Sequence, residues 1–229
     1  MKIEILPDAK AVAKRAAALI AAESRDAVVA NGQFSFAVSG GKTPWIMLKA
    51  LAGEKVPWEE VHLFQVDERV APAGDPDRNL THLQDSLLSR VPLPAENVHP
   101  MPVESPDLGL AARDYANALE KVAGAPPVLD LVHLGLGADG HTASLIPGDP
   151  VLNNVSADVD VTGEYMGRRR MTLTYPVLNR ARKIIFVVTG ADKVEALAKL
   201  RGGDVEIPAG RVSKENALII ADESAAGGG

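Results

Sequence analysis

The sequence has no cysteine, which excludes disulfides, a thiolate nucleophile and a zinc site built on cysteine. Only 4% of the residues are aromatic. No apolar run approaches the roughly 18 residues of a membrane-spanning helix, and no signal-peptide core follows Met1. These absences predict a soluble protein of the reducing cytoplasm without a membrane partner.

The sequence also has fewer basic than acidic residues, with 24 Lys and Arg against 30 Asp and Glu, which gives a net charge of -6. Basic side chains cluster only at 168–170, so we expect no nucleic-acid partner. With 229 residues, 46% of them hydrophobic, the chain can bury a large core. We expect one α/β domain over residues 1–223 and a disordered tail over 224–229, as a monomer or a weak homodimer.

Helical and strand-like segments alternate along the chain. The helices predicted from composition and spacing span 8–24, 44–51, 80–89, 110–122 and 193–200. The predicted strands span 34–38, 61–66, 128–134, 170–174, 183–189 and 217–221. Strands separated by helices imply right-handed crossovers. We therefore predict a Rossmann-like, mainly parallel sheet with helices on both faces.

A glycine-rich run from Gly135 to Ser144 directly follows the predicted strand 128–134. Its letters match the G-x-G-x-x-G fingerprint of dinucleotide sites, which requires a long helix after the third glycine. Pro147 and Gly148 would end such a helix after about two turns. The other interpretation is a catalytic loop that presents Asp139 and His141, and the sequence favours it.

A second loop, Ser39-Gly40-Gly41-Lys42-Thr43, follows strand 34–38 and opens a helix. Thr43 is the predicted N-cap and Pro44 the first helical residue. The glycines let backbone N–H groups approach an anion, and the hydroxyl and ammonium groups add donors. The spacing differs from that of a Walker A loop, so a nucleoside triphosphate is not implied. An ordinary strand-to-helix turn is the alternative.

Charged residues follow two further strands. Asp67, Glu68 and Arg69 come just after strand 61–66, and Lys193 begins the helix after strand 183–189. Each loop alone is compatible with a solvated turn. Because the carboxyl ends of parallel strands share one edge of the sheet, all four loops are expected to converge there. The convergence predicts one site.

These residues together resemble the glucosamine-6-phosphate isomerase/6-phosphogluconolactonase family. The motifs that carry the resemblance are Ser39-Gly40-Gly41-x-Thr43-Pro44, Asp67-Glu68-Arg69 with Asn79, Gly135-x-Gly137-x-Asp139-Gly140-His141-Thr142-Ala143-Ser144-Leu145-x-Pro147 and Gly190-x-x-Lys193. The resemblance implies an enzyme that hydrolyses 6-phospho-D-glucono-1,5-lactone to 6-phospho-D-gluconate in the oxidative pentose phosphate pathway. Its sheet would be shared with sugar-phosphate deaminases and isomerases.

Lactone hydrolysis needs an activated water and a stabilised oxyanion, without a cofactor or metal. His141 is the candidate general base, and Asp139 is near enough to orient the imidazole or raise its basicity. Arg69 is the candidate partner of the lactone carbonyl or of the sugar hydroxyls. Asp67 and Glu68 are expected to hold its guanidinium by charge-assisted hydrogen bonds. A purely structural ion pair is the alternative for Arg69.

The sugar phosphate is expected to meet the neutral donors of the loop from Ser39 to Thr43. Lys193 and one arginine of the basic cluster would supply positive charge. The family resemblance implies that this arginine is Arg170, because it directly precedes the run Met171-Thr172-Leu173-Thr174, and Arg168 and Arg169 are expected to be surface charges.

Two other functions remain open at this stage. A glucosamine-6-phosphate deaminase of the same fold would be expected to carry a Glu shortly after the loop histidine, where this chain has Ser144, Leu145 and Ile146. A sugar-phosphate sensor that regulates transcription would need a DNA-binding module, for which the chain leaves no room. Both features favour the lactonase.

Overall fold

The computed structural model describes residues 1–228. The strands are β1 (Lys2–Leu6), β2 (Phe34–Val38), β3 (Val61–Gln65), β4 (Asp67–Arg69), β5 (Val98–His99), β6 (Leu131–Leu134), β7 (Val159–Val161), β8 (Arg170–Leu173), β9 (Lys183–Val188) and β10 (Ala217–Asp222). The α-helices are α1 (Ala9–Asn31), α2 (Lys42–Leu51), α3 (Asn79–Leu83), α4 (Leu108–Ala123), α5 (Tyr175–Arg180) and α6 (Val194–Gly202).

The main sheet has the strand order β1-β10-β9-β6-β2-β3-β5, and all its neighbouring pairs are parallel. Alternate side chains of β9 enter opposite halves of the core. Ile184 and Phe186 pack into the cluster that includes α4, α5 and α6, whereas Ile185 and Val187 pack into the cluster that includes α1 and α2. The prediction of a mainly parallel α/β sheet with helices on both faces is confirmed.

The strand order places a topological switch point between β2 and β6. From β2 the chain continues outward through β3 to β5, and from β6 it continues the other way through β9 to β10. Loops that leave two adjacent strands in opposite directions open a crevice at their carboxyl ends, where ligands of open α/β folds bind. The Ser39 loop and the Gly135 loop border this crevice.

Two segments near the site belong to a second sheet that the sequence did not predict. Residues 170–173 of the predicted strand 170–174 form β8, which lies in this sheet, of order β4-β8-β7, in which both pairs are antiparallel. The expected charged loop at Asp67 is the short strand β4, which belongs to the same small sheet. In this arrangement Arg69 pairs with Arg170, so the small sheet brings two cations of the predicted site into register.

The helices also depart from their predicted bounds. The helix expected at 8–24 continues to Asn31, because Asp8 caps its start and Gly32, with φ of 78°, ends it in the left-handed conformation. The helix expected at 80–89 is α3 followed by a π-helical turn over Gln84–Leu88. Within residues 1–228, no helix combines the length and apolar character needed to cross a membrane.

The tail expected to be disordered has structure over residues 224–228. Ala225 is buried, and its N–H donates to the Asp222 carboxylate at 2.8 Å. The N–H of Gly228 donates to the carbonyl of Glu223 at 2.9 Å. These contacts hold the segment against the end of β10. Gly229, the last residue of the expected tail, lies outside the described residues.

His133 on β6 provides a test of this packing. Its side chain is fully buried, its Nδ1 accepts a hydrogen bond from the Ser39 N–H at 3.3 Å, and burial lowers its pKa to about 3. Below about pH 6.5 the unfolded chain therefore binds a proton at His133 while the folded chain does not, so the folded state loses stability as the pH is lowered. Removing the imidazole should weaken this dependence.

We expect His133→Asn, which keeps an acceptor for Ser39, to lose less stability on acidification than the wild type. Between about pH 7 and about pH 5 the difference should reach about 2 kcal/mol in the free energy of unfolding. Urea denaturation at the two pH values measures it. Parallel pH profiles for variant and wild type would show that His133 does not carry the effect.

Candidate active site

A cavity of about 500 Å³ opens at the carboxyl ends of the central strands. All but one of the predicted site residues line it: Ser39, Gly40, Gly41, Lys42, Thr43, Asp67, Arg69, His141, Arg170 and Lys193. The exception, Asp139, is in contact with His141. The sequence had not pointed to Thr189, which also lines the cavity. Because Thr189 directly follows β9, the sheet-edge rule could have found it.

His141 and Asp139 form a hydrogen-bonded pair at the cavity wall. The His141 Nδ1 and the Asp139 Oδ1 are 2.6 Å apart, and the His141 N–H donates to the same oxygen at 3.1 Å. Burial tends to raise the pKa of Asp139, but these contacts with His141 outweigh it and hold the pKa below the usual value. With its proton on Nδ1, the imidazole offers Nε2 as an acceptor.

Gly137 leaves the space that the His141–Asp139 pair occupies. A Cβ on Gly137 would lie 2.1 Å from the His141 Nδ1 and 2.5 Å from the Asp139 Oδ1. The Gly137 N–H donates to the His141 carbonyl at 2.8 Å, which closes the loop. Turns, not an α-helix, follow Gly140. The geometry therefore lacks the helix that a dinucleotide fingerprint requires.

The Ser39 loop differs from its prediction in where helix α2 starts and in what the Ser39 and Thr43 hydroxyls contact. Helix α2 begins at Lys42 after Gly41, whose φ is 128°, and no side chain caps it. The predictions of Thr43 as N-cap and of Pro44 as the first helical residue are therefore wrong. The Thr43 hydroxyl instead lies 2.5 Å from that of Thr189. The Ser39 hydroxyl donates to the His133 carbonyl at 3.1 Å, so it anchors the loop to β6.

Arg69 is held in a different way from the one expected. Its Nη1 donates to the Asn79 Oδ1 at 2.7 Å and to the Asp77 carbonyl at 2.8 Å. Glu68 contacts Arg69 only at its backbone N–H, at 2.8 Å, and not at its guanidinium. The Asp67 carboxylate accepts a hydrogen bond from the Ser144 hydroxyl instead. The expectation that Asp67 and Glu68 fix the guanidinium is wrong, because an amide and a carbonyl take that place.

Glu68 is instead the buried anchor of this side of the site. Besides the N–H of Arg69, its carboxylate accepts from the N–H groups of Asn79 and Leu80 and from the Gln65 side chain, each at 2.8 Å. Arg78, also buried, lies 3.4 Å from it. A buried carboxylate is tolerated only with such partners. Glu68 thus locks the start of α3 against β4.

Asp67 is paired with a residue that sequence reasoning had not assigned. Its Oδ2 accepts from the Ser144 hydroxyl at 2.6 Å, and both side chains are buried. The Ser144 N–H donates to the Thr172 hydroxyl at 3.2 Å. This chain of contacts joins the His141 loop to the small antiparallel sheet.

The cations of the cavity differ in their surroundings. Arg170 is 8% exposed, and burial lowers the pKa of its guanidinium, an effect that the Asp67 charge opposes. The Lys193 Nζ lies 2.9 Å from the Asp192 carboxylate, and Lys42 is exposed. Of the two other arginines in the cluster, Arg168 pairs with Asp75 and Asp77, and Arg169 is exposed. Neither lines the cavity.

The family model described as glucosamine-6-phosphate isomerases/6-phosphogluconolactonase matches residues 7–220. The chain belongs to this family. A relative named 6-phosphogluconolactonase from Nostoc sp. is 36% identical over 98% of this chain and 96% of its own length. One of the same name from Mycobacterium tuberculosis is 35% identical over 98% and 96%. The resemblance found from the motifs is confirmed.

Solved structures of family members have the same fold. The 6-phosphogluconolactonase from Thermotoga maritima superposes with a TM-score of 0.85 at 26% identity, over 96% of this chain and 98% of that one. A monomeric glucosamine-6-phosphate deaminase also reaches a TM-score of 0.85, at 17% identity and over the full length of both chains. At that identity the likeness concerns the fold alone.

The steric role of Gly137 can be separated from general glycine flexibility. We expect Gly137→Ala to lower the free energy of unfolding by about 1–3 kcal/mol, because its Cβ would collide with the His141–Asp139 pair. Gly135→Ala is the matched control, since a Cβ there meets nothing within 4 Å and should change stability by less than about 0.5 kcal/mol. Urea denaturation measures both. Equal losses would contradict the steric explanation.

Proposed function

We propose that this chain hydrolyses 6-phospho-D-glucono-1,5-lactone to 6-phospho-D-gluconate, a step of the oxidative pentose phosphate pathway. The observation that carries the proposal is the Asp139-bound imidazole of His141 at the wall of a cavity that also contains Arg69, Arg170 and Lys193. A base beside several cations suits hydrolysis of an anionic lactone. The names of the relatives support the same reaction.

His141 acts as the general base. Its Nε2 takes a proton from a water molecule as the water oxygen bonds to the lactone carbonyl carbon, and the carbonyl oxygen becomes an oxyanion. Asp139 holds the Nδ1 proton and stabilises the imidazolium that forms. When the tetrahedral intermediate collapses, the bond from the carbonyl carbon to the ring oxygen breaks. The imidazolium then returns its proton to that oxygen, which becomes the hydroxyl of the open sugar acid.

Arg69 is the candidate partner of the lactone carbonyl or of the sugar hydroxyls. Asn79 and the Asp77 carbonyl engage only its Nη1, so the other N–H groups of the guanidinium are available to the ligand. A guanidinium that is held in place before the reaction stabilises a developing oxyanion without reorganisation.

The phosphate is bound by the loop from Ser39 to Thr43 together with Arg170 and Lys193. The loop contributes backbone N–H groups at the start of α2 and the exposed ammonium of Lys42. Lys193 exchanges its contact with Asp192 for the phosphate, and Arg170 can offer charge-assisted hydrogen bonds. Because its hydroxyl is bonded to His133, Ser39 acts by fixing the loop.

We expect His141→Ala to lower kcat for phosphogluconolactone hydrolysis by about 100-fold or more, because no other group would take the proton from water. The assay is corrected for spontaneous hydrolysis, and His62→Gln, a change outside the cavity, is the control that keeps wild-type turnover. Near-normal turnover in folded His141→Ala would exclude His141 as the base.

Parallel assays on the wild-type protein distinguish the alternative functions. Release of ammonia from glucosamine 6-phosphate by a wild-type protein without lactonase activity would identify a deaminase. Binding of sugar phosphates without turnover of either substrate would identify a sensor.

Arg170 and its neighbour allow a second test. Arg170→Ala should raise KM for the lactone by about tenfold or more, because a charge-assisted hydrogen bond to the phosphate is lost. Arg169→Ala removes an exposed cation one residue away and should leave KM within about twofold of the wild type. Steady-state kinetics measures both variants. An equal rise in KM would mean that general charge, and not a contact from Arg170, attracts the substrate.

A further inference from the structure

Tyr165 begins a tight hairpin turn at the border of the site. The Tyr165 N–H donates to the Arg168 carbonyl at 2.9 Å, and the Arg168 N–H donates back at 3.2 Å. The two residues between them, Met166 and Gly167, have φ of 52° and 76°. Positive φ at both central positions is the pattern of a type I′ turn, which matches the twist of the flanking strands. The hairpin therefore sets the backbone position from which the Tyr165 ring projects.

The Tyr165 ring contacts two residues of the proposed site. The guanidinium carbon of Arg170 lies 5.1 Å from the centroid of the Tyr165 ring, within cation–π distance. The His141 ring meets the same tyrosine edge-on, with centroids 6.2 Å apart and planes at 64°. Tyr165 itself is not among the residues that line the cavity. Its contacts with the site are those with Arg170 and His141.

No hydrogen bond within the described part of the chain orients the Arg170 side chain, and its buried Nε has no partner there. The Asp67 carboxylate attracts the guanidinium but is already bonded to Ser144. A cation–π contact covers one face of a guanidinium and leaves its N–H edges free. The ring thus restrains Arg170 without using the donors that an anion needs.

We propose that Tyr165 is a positioning residue that holds Arg170 ready to bind the substrate phosphate. The proposal rests on the proposed function, because it assumes that Arg170 meets the phosphate of the lactone. His141 is fixed separately by Asp139 and by the Gly137 N–H. Loss of the ring should therefore affect substrate binding much more than the chemical step.

Three substitutions of Tyr165 distinguish the contribution of its aromatic ring from that of its hydroxyl and from that of side-chain volume. We expect Tyr165→Ala and Tyr165→Leu to raise KM by about tenfold with kcat within about twofold, because both lack an aromatic face. Tyr165→Phe should keep the wild-type KM, because it retains the aromatic face that contacts Arg170. Met166→Ala changes the exposed tip of the same hairpin and is the control.

Two further measurements test whether Tyr165 acts through Arg170. Calorimetry should show that Tyr165→Ala binds 6-phosphogluconate and inorganic phosphate about tenfold more weakly than the wild type does. In an Arg170→Ala background, Tyr165→Ala should have no additional effect on KM, because the residue it positions is gone. Thermal unfolding checks that each variant is folded.

Several outcomes would overturn the proposal. They are an unchanged KM in folded Tyr165→Ala, a loss confined to kcat, a Phe variant as impaired as the Ala variant, or additive effects in the Arg170→Ala background. Failure of the proposed function is distinguishable, because it would show as a wild type without lactonase activity. In that case the phosphate-binding comparison still decides whether Tyr165 holds Arg170 for an anion.

Discussion

All the loops of the candidate site depend on parallel hydrogen bonding between the neighbouring strands β3, β2, β6 and β9. The register pairs Val38 of β2 with Gln65 of β3 on one side and with His133 of β6 on the other. The three strands therefore end at nearly the same height. Their loops leave the sheet beside each other at the switch point, and residues far apart in the chain meet without any long excursion.

The cavity is held in shape by buried polar pairs. Glu68 locks the backbone from which Arg69 projects, and the contact between Asp67 and Ser144 ties the His141 loop to the small sheet. Removing one partner of such a contact leaves a buried group unsatisfied, which costs more than the contact contributes. Because these pairs are already formed, the dipoles of the site are oriented before a substrate arrives. Electrostatic catalysis requires this arrangement.

The sequence predicted the buried apolar strands and missed several that carry charged side chains, β1 among them. Strands β2, β3, β6, β9 and β10 follow from runs of buried residues, whereas β4 and β7 have three residues each and contain charged side chains. Local rules also assigned Thr43 to a cap, but the hydroxyl bonds to Thr189, which is 146 residues away along the chain. Capping rules consider only neighbours in sequence, so a distant partner is invisible to them.

The sequence by itself determined the fold class, the convergence of the loops at one sheet edge, and the family, because these depend on the hydrophobic pattern and on contiguous motifs. Tertiary structure alone decided what each side chain touches. Asn79 holds Arg69 where Asp67 and Glu68 had been expected, and the Tyr165 ring lies against Arg170 and His141. The physical reason is that a hydrogen bond or a cation–π contact depends on ångström-scale placement, which arises only when separate strands and hairpins pack together.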